Sequence, residues 1–446
     1  MKGNFPILKN EFILRQVQLH KTIHHAIYSL QFQRSQPINN DLFVLIQYFT
    51  GELSIQEISE KISSVFDSPK PETNQKIKSI IDDLIKSGFV KLKNDKKKCC
   101  FFPDLKPMNG VLDYVYIRLT KKCNLNCSHC SVDATNRSKT ELSETSVKKL
   151  IDELYDMMVP NISFTGGEPT LVKNLLSYVE YANQKPMRVS LLTNGFIVNQ
   201  QLAKDLVKNG LKQVNISLDG ACAKSHDQFR GKSGAFEKAL NAIKLFKEEG
   251  IFTETTTVLH SGNSTEIEDI LKLGQSIELD NMKFLPIIPF NRGEKCDYKT
   301  SFEIYKKNIK ALLPFLTTSQ DSENLASAKK YKHSIKCNAG TGVLSIDSNG
   351  DVLPCNNFDI MPLGNIFDRP IFDIYTNARK SKELKNALKI SDTECTACPL
   401  LDDCRGGCPM VSYAYFKDFH KCDITRKLIA EEVISLRRRR YNHERL

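Results

Sequence analysis

The chain has 446 residues, of which 41% are hydrophobic and 26% charged, so its composition is that of a globular protein with about three domains. Its net charge of +11 is compatible with an acidic peptide, a nucleic acid or an anionic surface as partner, but no run approaches the ~20 apolar residues that span a bilayer. The first ten residues lack the apolar stretch of a secretory signal, so we expect a cytoplasmic protein, whose fourteen cysteines then favour metal ligation over a disulfide scaffold.

The N-terminal region has the pattern of a small helical domain with a wing. Apolar residues recur at helical spacing from Ser54 to Phe66, with Ser54 as N-cap and Glu57 three residues later. A second amphipathic helix is predicted from Ile77 to Gly88, where the glycine ends it, and a short strand from Phe89 to Leu92. Helix, helix and wing predict a winged-helix-like domain over residues 1–105.

The next region, residues 112–300, alternates strands and helices. Strands are predicted at Asp113–Leu119, Asn161–Thr165, Arg188–Thr193, Gln213–Leu218, Thr253–Leu259 and Lys283–Ile288, and helices between them include Ser143–Met158 and Ser233–Glu249. Repeated βα units indicate a parallel sheet, so the fold class is α/β with a partial (β/α)6 barrel of the TIM type. Active sites of such folds lie at the carboxyl ends of the strands.

The rest of the chain is predicted to be a helical linker, residues 301–330, and a loop-rich module, residues 331–446. This module is rich in cysteine, and its apolar core is too thin to fold without metal.

Three cysteines follow the first predicted barrel strand in the pattern C-x3-C-x2-C. Cys123, Cys127 and Cys130 on one short loop suit three irons of a cubane cluster. The fourth iron then has no protein ligand and is open to a substrate or cofactor. The alternative is a zinc site with a fourth ligand elsewhere, but no second cysteine pair lies nearby.

Seven more cysteines lie near the C-terminus, at spacings that a single zinc ribbon does not explain. They are Cys337, Cys355, Cys395, Cys398, Cys404, Cys408 and Cys422. A zinc ribbon would use four of them and leave three without a role.

The first cysteine motif resembles the signature of the radical S-adenosylmethionine superfamily. The resemblance implies that the open iron is chelated by S-adenosylmethionine, whose reductive cleavage gives a 5′-deoxyadenosyl radical that abstracts a hydrogen atom. It also implies an external electron donor such as flavodoxin or ferredoxin.

The same resemblance implies contacts between several further residues and the cofactor. They are His129 near the adenine, Gly166, Gly167 and Glu168 of a GGEP motif, Asn194 of a TNG motif, Ser217 at the fourth strand end, and Arg230. A surface salt bridge is the alternative role for Arg230.

The seven C-terminal cysteines resemble those of the SPASM domain, which implies two auxiliary 4Fe–4S clusters and three clusters in all. In relatives the ligands interleave, so Cys337, Cys355 and Cys408 would hold an inner cluster, and the other four cysteines an outer cluster. The inner cluster then lacks one protein thiolate. A substrate cysteine is one candidate for this position, and Cys296 or a non-cysteine group is the other; the sequence leaves both open.

The N-terminal domain resembles the recognition element of enzymes that modify ribosomally made peptides. The resemblance implies that an extended, often acidic leader peptide binds by adding a strand to a sheet edge. We therefore expect a peptide maturase, of the sactipeptide type that forms sulfur-to-carbon thioether crosslinks, with neither nucleic acid nor membrane as partner. Carbon–carbon crosslinking and oxidative decarboxylation are alternatives, and a DNA-binding redox sensor is the alternative from another class.

Overall fold

The computed structural model describes residues 5–9, 11–19, 22–31, 33–65, 70–96, 112–316, 336–390, 394–404 and 406–443. The chain divides into two compact units. The first is Met1–Asp113 with Lys149–Asn161 and Gln184–Arg188, and the second is Tyr114–Lys148, Ile162–Asn183 and Val189–Leu446. Within the described ranges, none of the helices has the length and apolar character needed to cross a membrane.

As far as the structure describes it, the first unit contains two small sheets, three whole helices and most of a fourth helix, Glu144–Asp156. In chain order its whole elements are β1 (Phe5–Leu8), β2 (Phe12–Leu19), β3 (Thr22–Ser29), β4 (Arg34–Ile38), α1 (Asn40–Ile46), α2 (Ile55–Val65), α3 (Lys70–Lys86) and β5 (Val90–Lys93). Strands β1 and β5 pair antiparallel, and β2, β3 and β4 form a second antiparallel sheet in that order. The predicted helices and the predicted short strand are confirmed as α2, α3 and β5.

The ends of these helices follow from local side-chain chemistry. The Glu57 N–H donates to Ser54 Oγ at 3.2 Å and the Ser54 N–H to Glu57 Oε2 at 2.7 Å, which is a reciprocal capping box. Helix α3 is followed by Gly88, whose φ of 82° lies in the left-handed region that glycine adopts without strain. Both signals were visible in the sequence.

The sheet of β2, β3 and β4 was missing from the sequence prediction. Its strand β2 includes Arg15, which is only 2% exposed although it carries a charge. The guanidinium pairs with Asp113 at 2.7 Å and donates to the Leu112 carbonyl at 3.0 Å. A buried arginine breaks the apolar alternation that identifies a strand, and its partners lie about a hundred residues away.

The second unit contains the parallel strands predicted for residues 112–300. They are β6 (Tyr114–Thr120), β7 (Asn161–Gly166), β8 (Arg188–Thr193), β9 (Leu211–Ser217), β10 (Phe252–Leu259) and β11 (Asn281–Pro286). The sheet order is β11-β10-β9-β8-β7-β6, and the pairs β8–β9, β9–β10 and β10–β11 are parallel. This consecutive order confirms the parallel α/β sheet.

Helices alternate with these strands, and two more follow the last of them. They are α4 (Glu144–Asp156), α5 (Leu175–Asn183), α6 (Gln200–Lys208), α7 (Ala223–Arg230), α8 (Ala235–Glu248), α9 (Ile267–Ser276), α10 (Tyr298–Lys307) and α11 (Ile309–Leu316). The last two cover the first part of the predicted linker, while 317–335 lies outside the described residues.

The sheet continues beyond β6 into the cysteine-rich module. Strand β12 (Val343–Ile346) pairs in parallel with β6, and β13 (Asp351–Leu353) and β14 (Gly364–Asn365) follow antiparallel. Because β12 occupies the edge of β6, the described sheet runs from β11 to β14 and is open. The module adds α12 (Ile371–Ala378), α13 (Lys382–Leu388), α14 (Leu401–Cys404), α15 (Pro409–Phe416) and α16 (Ile424–His443).

Candidate functional site

The loop after β6 carries the three cysteines of the first motif, Cys123, Cys127 and Cys130, and is called the cluster loop. Cys123 and Cys127 are buried and Cys130 is partly buried. In the part of the chain that the structure describes, no three Cys, His, Asp or Glu side chains are placed to ligate one metal ion. The assignment of the three cysteines to a cluster with one open iron therefore stays a prediction from their spacing.

The C-terminal end of α7 holds this loop in place. The Asn126 N–H donates to the Arg230 carbonyl at 3.2 Å, and the Ser128 N–H to the Phe229 carbonyl at 3.1 Å. The last carbonyls of a helix have no partner within it, so they are free to bind the loop. Gly231 has a φ of 65°, and a Cβ there would lie 2.5 Å from the Asn126 carbonyl oxygen. The docking therefore requires glycine at this position.

Each thiol of the loop accepts a hydrogen bond from another part of the site. The pairs are Asn194 Nδ2 to Cys123 Sγ at 3.8 Å, Arg230 Nη1 to Cys127 Sγ at 3.7 Å, and the Ala134 N–H to Cys130 Sγ at 3.4 Å. Burial raises the pKa of Cys123 to about 12, so without metal this thiol is protonated at neutral pH. Iron ligation would require the deprotonated thiol, and the N–H donors to the sulfur would stabilise the thiolate.

Arg230 is fixed by a buried carboxylate. Its Nε lies 2.5 Å from Asp219 Oδ2, and the two residues are 8% and 0% exposed. Burial alone would raise the pKa of Asp219, but Arg230 holds it below its usual range. A salt bridge is present, as one reading of the sequence allowed, but it is buried and extends to the cluster loop through Cys127.

The Gly166-Gly167 segment after β7 packs against the chain that enters the cluster loop. A Cβ at Gly166 would lie 2.5 Å from the Thr120 carbonyl oxygen, and one at Gly167 would collide with the Lys122 carbonyl. The Gly167 and Glu168 N–H groups donate to these same two carbonyls at 2.6 and 2.8 Å. Close backbone approach is thus the visible reason for both glycines.

The Glu168 carboxylate joins the ends of β7 and β8. Its Oε1 accepts hydrogen bonds from the Thr170 N–H at 3.0 Å and from Thr193 Oγ1 at 2.6 Å, and its Oε2 accepts one from the Asn194 N–H at 2.7 Å. Burial raises the pKa of Glu168, while these donors lower it. Glu168 therefore orients Asn194 towards the cluster loop, and direct binding of the cofactor by Glu168 stays a prediction.

His129 and Ser217 complete the set of residues that the sequence singled out. His129 stacks on Phe229 with ring centroids 4.2 Å apart, and Phe229 stacks on His260 at 3.7 Å. Burial and the charge of Arg230 lower the pKa of His129 to about 3, and its buried Nδ1 has no partner within the described residues. Ser217 is the last residue of β9, and the structure gives its hydroxyl no hydrogen bond to any described residue.

Four of the C-terminal cysteines line one cavity of about 100 Å³. They are Cys395, Cys398, Cys404 and Cys422. Burial, together with the charges of Asp423 and Cys422, raises the pKa of Cys404 to about 12. The structure thus brings together the four predicted ligands of the outer cluster.

The other three cysteines pack on a separate apolar core. Cys337, Cys355 and Cys408 contact the group that includes Phe358 and Met410. Burial raises the pKa of Cys408, and the charges of Asp423, Cys337 and Cys355 add to the effect. The grouping is the one predicted for the inner cluster, while ligation itself stays a prediction.

Cys296 lies elsewhere, beside the cluster loop. Its Sγ donates to the Ser128 carbonyl at 3.4 Å. The preceding Arg292 binds the same loop, since its guanidinium donates to Asn126 Oδ1 at 2.5 Å and to the Ala134 carbonyl at 3.0 Å. These contacts give no support to Cys296 as the missing ligand of the inner cluster.

Sequence reasoning missed Asp219, His260 and Arg292. Asp219 lies two residues after β9 and His260 directly after β10, and this position was a usable signal because such ends meet at one edge of a parallel sheet. Arg292 lies in a loop without a motif, so nothing in the sequence marked it.

Two family models match the chain. The model of the radical SAM superfamily matches residues 117–274, and that of the SPASM iron–sulfur cluster-binding domain matches residues 337–399. The first range contains the cluster loop, and the second contains four of the C-terminal cysteines.

Several known proteins resemble the chain over most of its length. Fe-coproporphyrin III synthase of Methanosarcina barkeri is 28% identical over 75% of this chain and 90% of its own. The antilisterial bacteriocin subtilosin biosynthesis protein AlbA of Bacillus subtilis is 23% identical over 95% of this chain and 98% of its own. The structure of Streptococcus suis SuiB bound to its precursor peptide SuiA matches with a TM-score of 0.62 at 14% identity, covering 94% of this chain and 99% of that one. The likeness to SuiB shows a shared fold.

Proposed function

The chain is a radical S-adenosylmethionine enzyme with a SPASM domain, and we propose that it modifies a ribosomally made precursor peptide by forming cysteine sulfur-to-carbon thioether crosslinks. The observation that carries the proposal is coverage. The bacteriocin biosynthesis protein AlbA aligns with 95% of the chain, whereas the Fe-coproporphyrin III synthase aligns with 75%. A match that spans the N-terminal unit as well as the cluster-binding regions favours a peptide substrate.

The chemistry depends on three 4Fe–4S clusters, one of which is held by Cys123, Cys127 and Cys130. When bound, this cluster and S-adenosylmethionine supply a radical that removes one hydrogen atom from the substrate, after reduction by a flavodoxin- or ferredoxin-like donor. Asn194 and Arg230 donate to two of the thiols and so hold the loop in one geometry. Among the described residues, His129 Nδ1 and Asn124 Nδ2 are buried polar atoms without a partner and would be available to the cofactor, while the role of Ser217 rests on the resemblance.

The inner auxiliary site has one protein thiol too few, and we propose that a substrate cysteine completes it. Cys337, Cys355 and Cys408 share one apolar core, while Cys296 contacts the cluster loop. Metal ligation would hold the substrate sulfur deprotonated at neutral pH. It would also fix the sulfur in one place, so that bond formation becomes an oriented intramolecular event, and the auxiliary cluster would accept the electron released as the sulfur–carbon bond closes.

The N-terminal unit is proposed to bind the leader of the precursor. Strand β4 is exposed and lies at the edge of its sheet among the described strands. Beside it, a groove of about 510 Å³ is lined by residues of β2, β3, β4 and the start of α1, among them Ile23, His24, Pro37 and Asn40. An extended peptide added along β4 would gain main-chain hydrogen bonds, and the groove would select its side chains. Residues 1–105 would then be the recognition domain, 112–300 the catalytic region and 331–446 the auxiliary-cluster domain.

The test is a reaction with a candidate precursor peptide, for which a small open reading frame beside the gene would be the first choice. The reconstituted enzyme is incubated anaerobically with this peptide, S-adenosylmethionine and dithionite. Mass spectrometry is expected to show the loss of two hydrogen atoms for each crosslink, with fragmentation that places the link between a cysteine and a carbon. A product linked carbon to carbon, or shortened by carbon dioxide, would replace the thioether assignment.

Modification of a tetrapyrrole is the second candidate, favoured by the resemblance to the Fe-coproporphyrin III synthase. The same reaction run with Fe-coproporphyrin III in place of the peptide separates the two candidates. Turnover of the tetrapyrrole with no change in any peptide would select this second function.

A further inference from the structure

Arg118 lies on β6, the strand that leads into the cluster loop, and its charge is fully enclosed. The residue is 2% exposed. Its Nη1 and Nη2 donate to the two carboxylate oxygens of Asp359 at 3.0 and 2.7 Å. Its Nε donates to Asn356 Oδ1 at 3.1 Å, and Nη2 also donates to the Asn356 carbonyl. All three nitrogens of the guanidinium are thus used on one short segment, residues 356–359.

That segment begins directly after Cys355, one of the three cysteines of the inner auxiliary site. Strand β12 pairs with β6 in the register Ile346 to Ile117, so the backbone brings the module alongside Arg118. The side chain then fixes the loop itself. Asn356 is held a second time, because its Oδ1 also lies 3.4 Å from Ser345 Oγ of β12.

The two charges of this pair act on the Cys355 sulfur with opposite sign. Arg118 contacts Asn356, the residue next to Cys355, and Asp359 lies four residues after Cys355 on the same loop. An arginine remains charged at every pH at which proteins fold, and inside a protein its field is weakly screened. The reduction potential of an iron–sulfur cluster depends on nearby charge and on hydrogen bonds around its sulfurs.

We propose that Arg118 is a positioning residue for the auxiliary cluster on Cys355: its guanidinium fixes the loop of residues 355–359 against β6, and the Arg118–Asp359 pair sets the reduction potential of that cluster. The inference rests on the cluster assignment under the proposed function and is independent of the peptide substrate. Electrostatics fixes the signs. Loss of the positive charge disfavours the reduced, more negative cluster, and loss of the negative charge favours it.

The experiment measures auxiliary-cluster potentials by EPR-monitored redox titration. Full-length protein with Cys123, Cys127 and Cys130 changed to Ala isolates the auxiliary signals, and the outer cluster serves as an internal reference. In this background Arg118→Gln is expected to shift the inner-cluster potential to more negative values and Asp359→Asn to more positive values. The double variant is expected to lie between them, near the parent protein. A Cys355→Ala variant first identifies the inner signal by its loss, and its persistence would overturn the cluster assignment instead.

Positioning has its own measurement, hydrogen–deuterium exchange with Arg118→Lys. Lysine keeps the charge but has a single nitrogen, so it cannot make the fork of contacts to Asn356 and Asp359. Exchange at residues 356–359 is expected to rise while the inner-cluster potential stays near that of the parent. A purely structural pair would shift the potential in the same direction in Arg118→Gln and Asp359→Asn. Such a result, or unchanged exchange in Arg118→Lys, overturns the proposal.

Discussion

Gly231 shows how one residue controls the cluster loop. It ends α7 with a φ of 65°, and its bare Cα lets the Asn126 carbonyl approach. Two other glycines of the chain, Gly234 and Gly250, also have positive φ, of 78° and 72°, but a Cβ at either would meet nothing within 4 Å. Strain alone and strain with a collision are therefore separable in this protein.

Gly231→Ala is predicted to destabilise the protein and to lower the amount of iron bound at the cluster loop. The left-handed backbone costs an alanine about 1–2 kcal/mol, and the collision with Asn126 adds the loss of the loop's docking on α7. Gly250→Ala is the matched control, since it has the backbone strain without the collision. Iron analysis and thermal unfolding of both variants check the prediction. Equal iron content in the two would show that the docking contact has no role in cluster binding.

At the residue scale, the sequence identified side chains but not their partners. Arg230 was singled out through a resemblance, yet its buried counter-charge Asp219 and its thiol Cys127 lie eleven and more than a hundred residues away. Glu168 was expected at the cofactor, and the structure shows it bound by Thr170, Thr193 and Asn194. Such pairings depend on strand ends converging in space, and no local pattern encodes them.

At the scale of elements, local signals predicted what local chemistry determines. The capping box at Ser54 and the terminal Gly88 mark helices whose ends depend on neighbouring residues. The six parallel strands were predicted because their apolar runs and the helices between them recur in order. The pairing of β12 with β6 was not predicted, because it joins segments more than two hundred residues apart.

The first unit gives a test of leader recognition with a matched control. Ile23 is 43% exposed and lines the groove beside β4, whereas Ile80 is 37% exposed on α3 and is not among the residues that line it. Ile23→Asp is predicted to weaken binding of the precursor peptide at least tenfold, about 1.4 kcal/mol, because it puts a charge where an apolar contact is expected and repels an acidic leader. Ile80→Asp is predicted to leave the affinity unchanged.

Fluorescence anisotropy with a labelled leader peptide measures both affinities. The fold of each variant is checked by circular dichroism. Full affinity in Ile23→Asp would remove the groove from the recognition surface, and an equal loss in both variants would indicate a general disturbance of the unit.

Over the whole molecule, ten cysteines separate into three groups, one on the cluster loop and two in the C-terminal module. Asp423 links the last two groups, because its Oδ2 accepts the Cys408 N–H at 2.7 Å while the residue itself follows Cys422. Gly407, with a φ of 68°, leaves the room that this contact needs. The grouping of the last two sets agrees with what the resemblance to the SPASM domain implied.

A cysteine-containing precursor is predicted to change the EPR signal of the inner auxiliary cluster, whereas a precursor with that cysteine changed to Ala is not. The physical reason is direct ligation of an iron by the substrate thiolate. The enzyme variant Cys296→Ala is predicted to keep all the iron of its auxiliary clusters, because Cys296 contacts the cluster loop and not the three cysteines of the inner site. Identical spectra with both peptides, together with iron loss in Cys296→Ala, would mean that Cys296 completes the cluster.

Cys123, Cys127 and Cys130 are proposed to hold the cluster that cleaves S-adenosylmethionine. The most direct measurement is anaerobic formation of 5′-deoxyadenosine with dithionite as reductant, in the wild type and in a variant with all three cysteines changed to Ala. The wild type is predicted to form 5′-deoxyadenosine, and the variant to form none while it retains its auxiliary iron. Formation of 5′-deoxyadenosine at the wild-type rate by the triple variant would contradict the account.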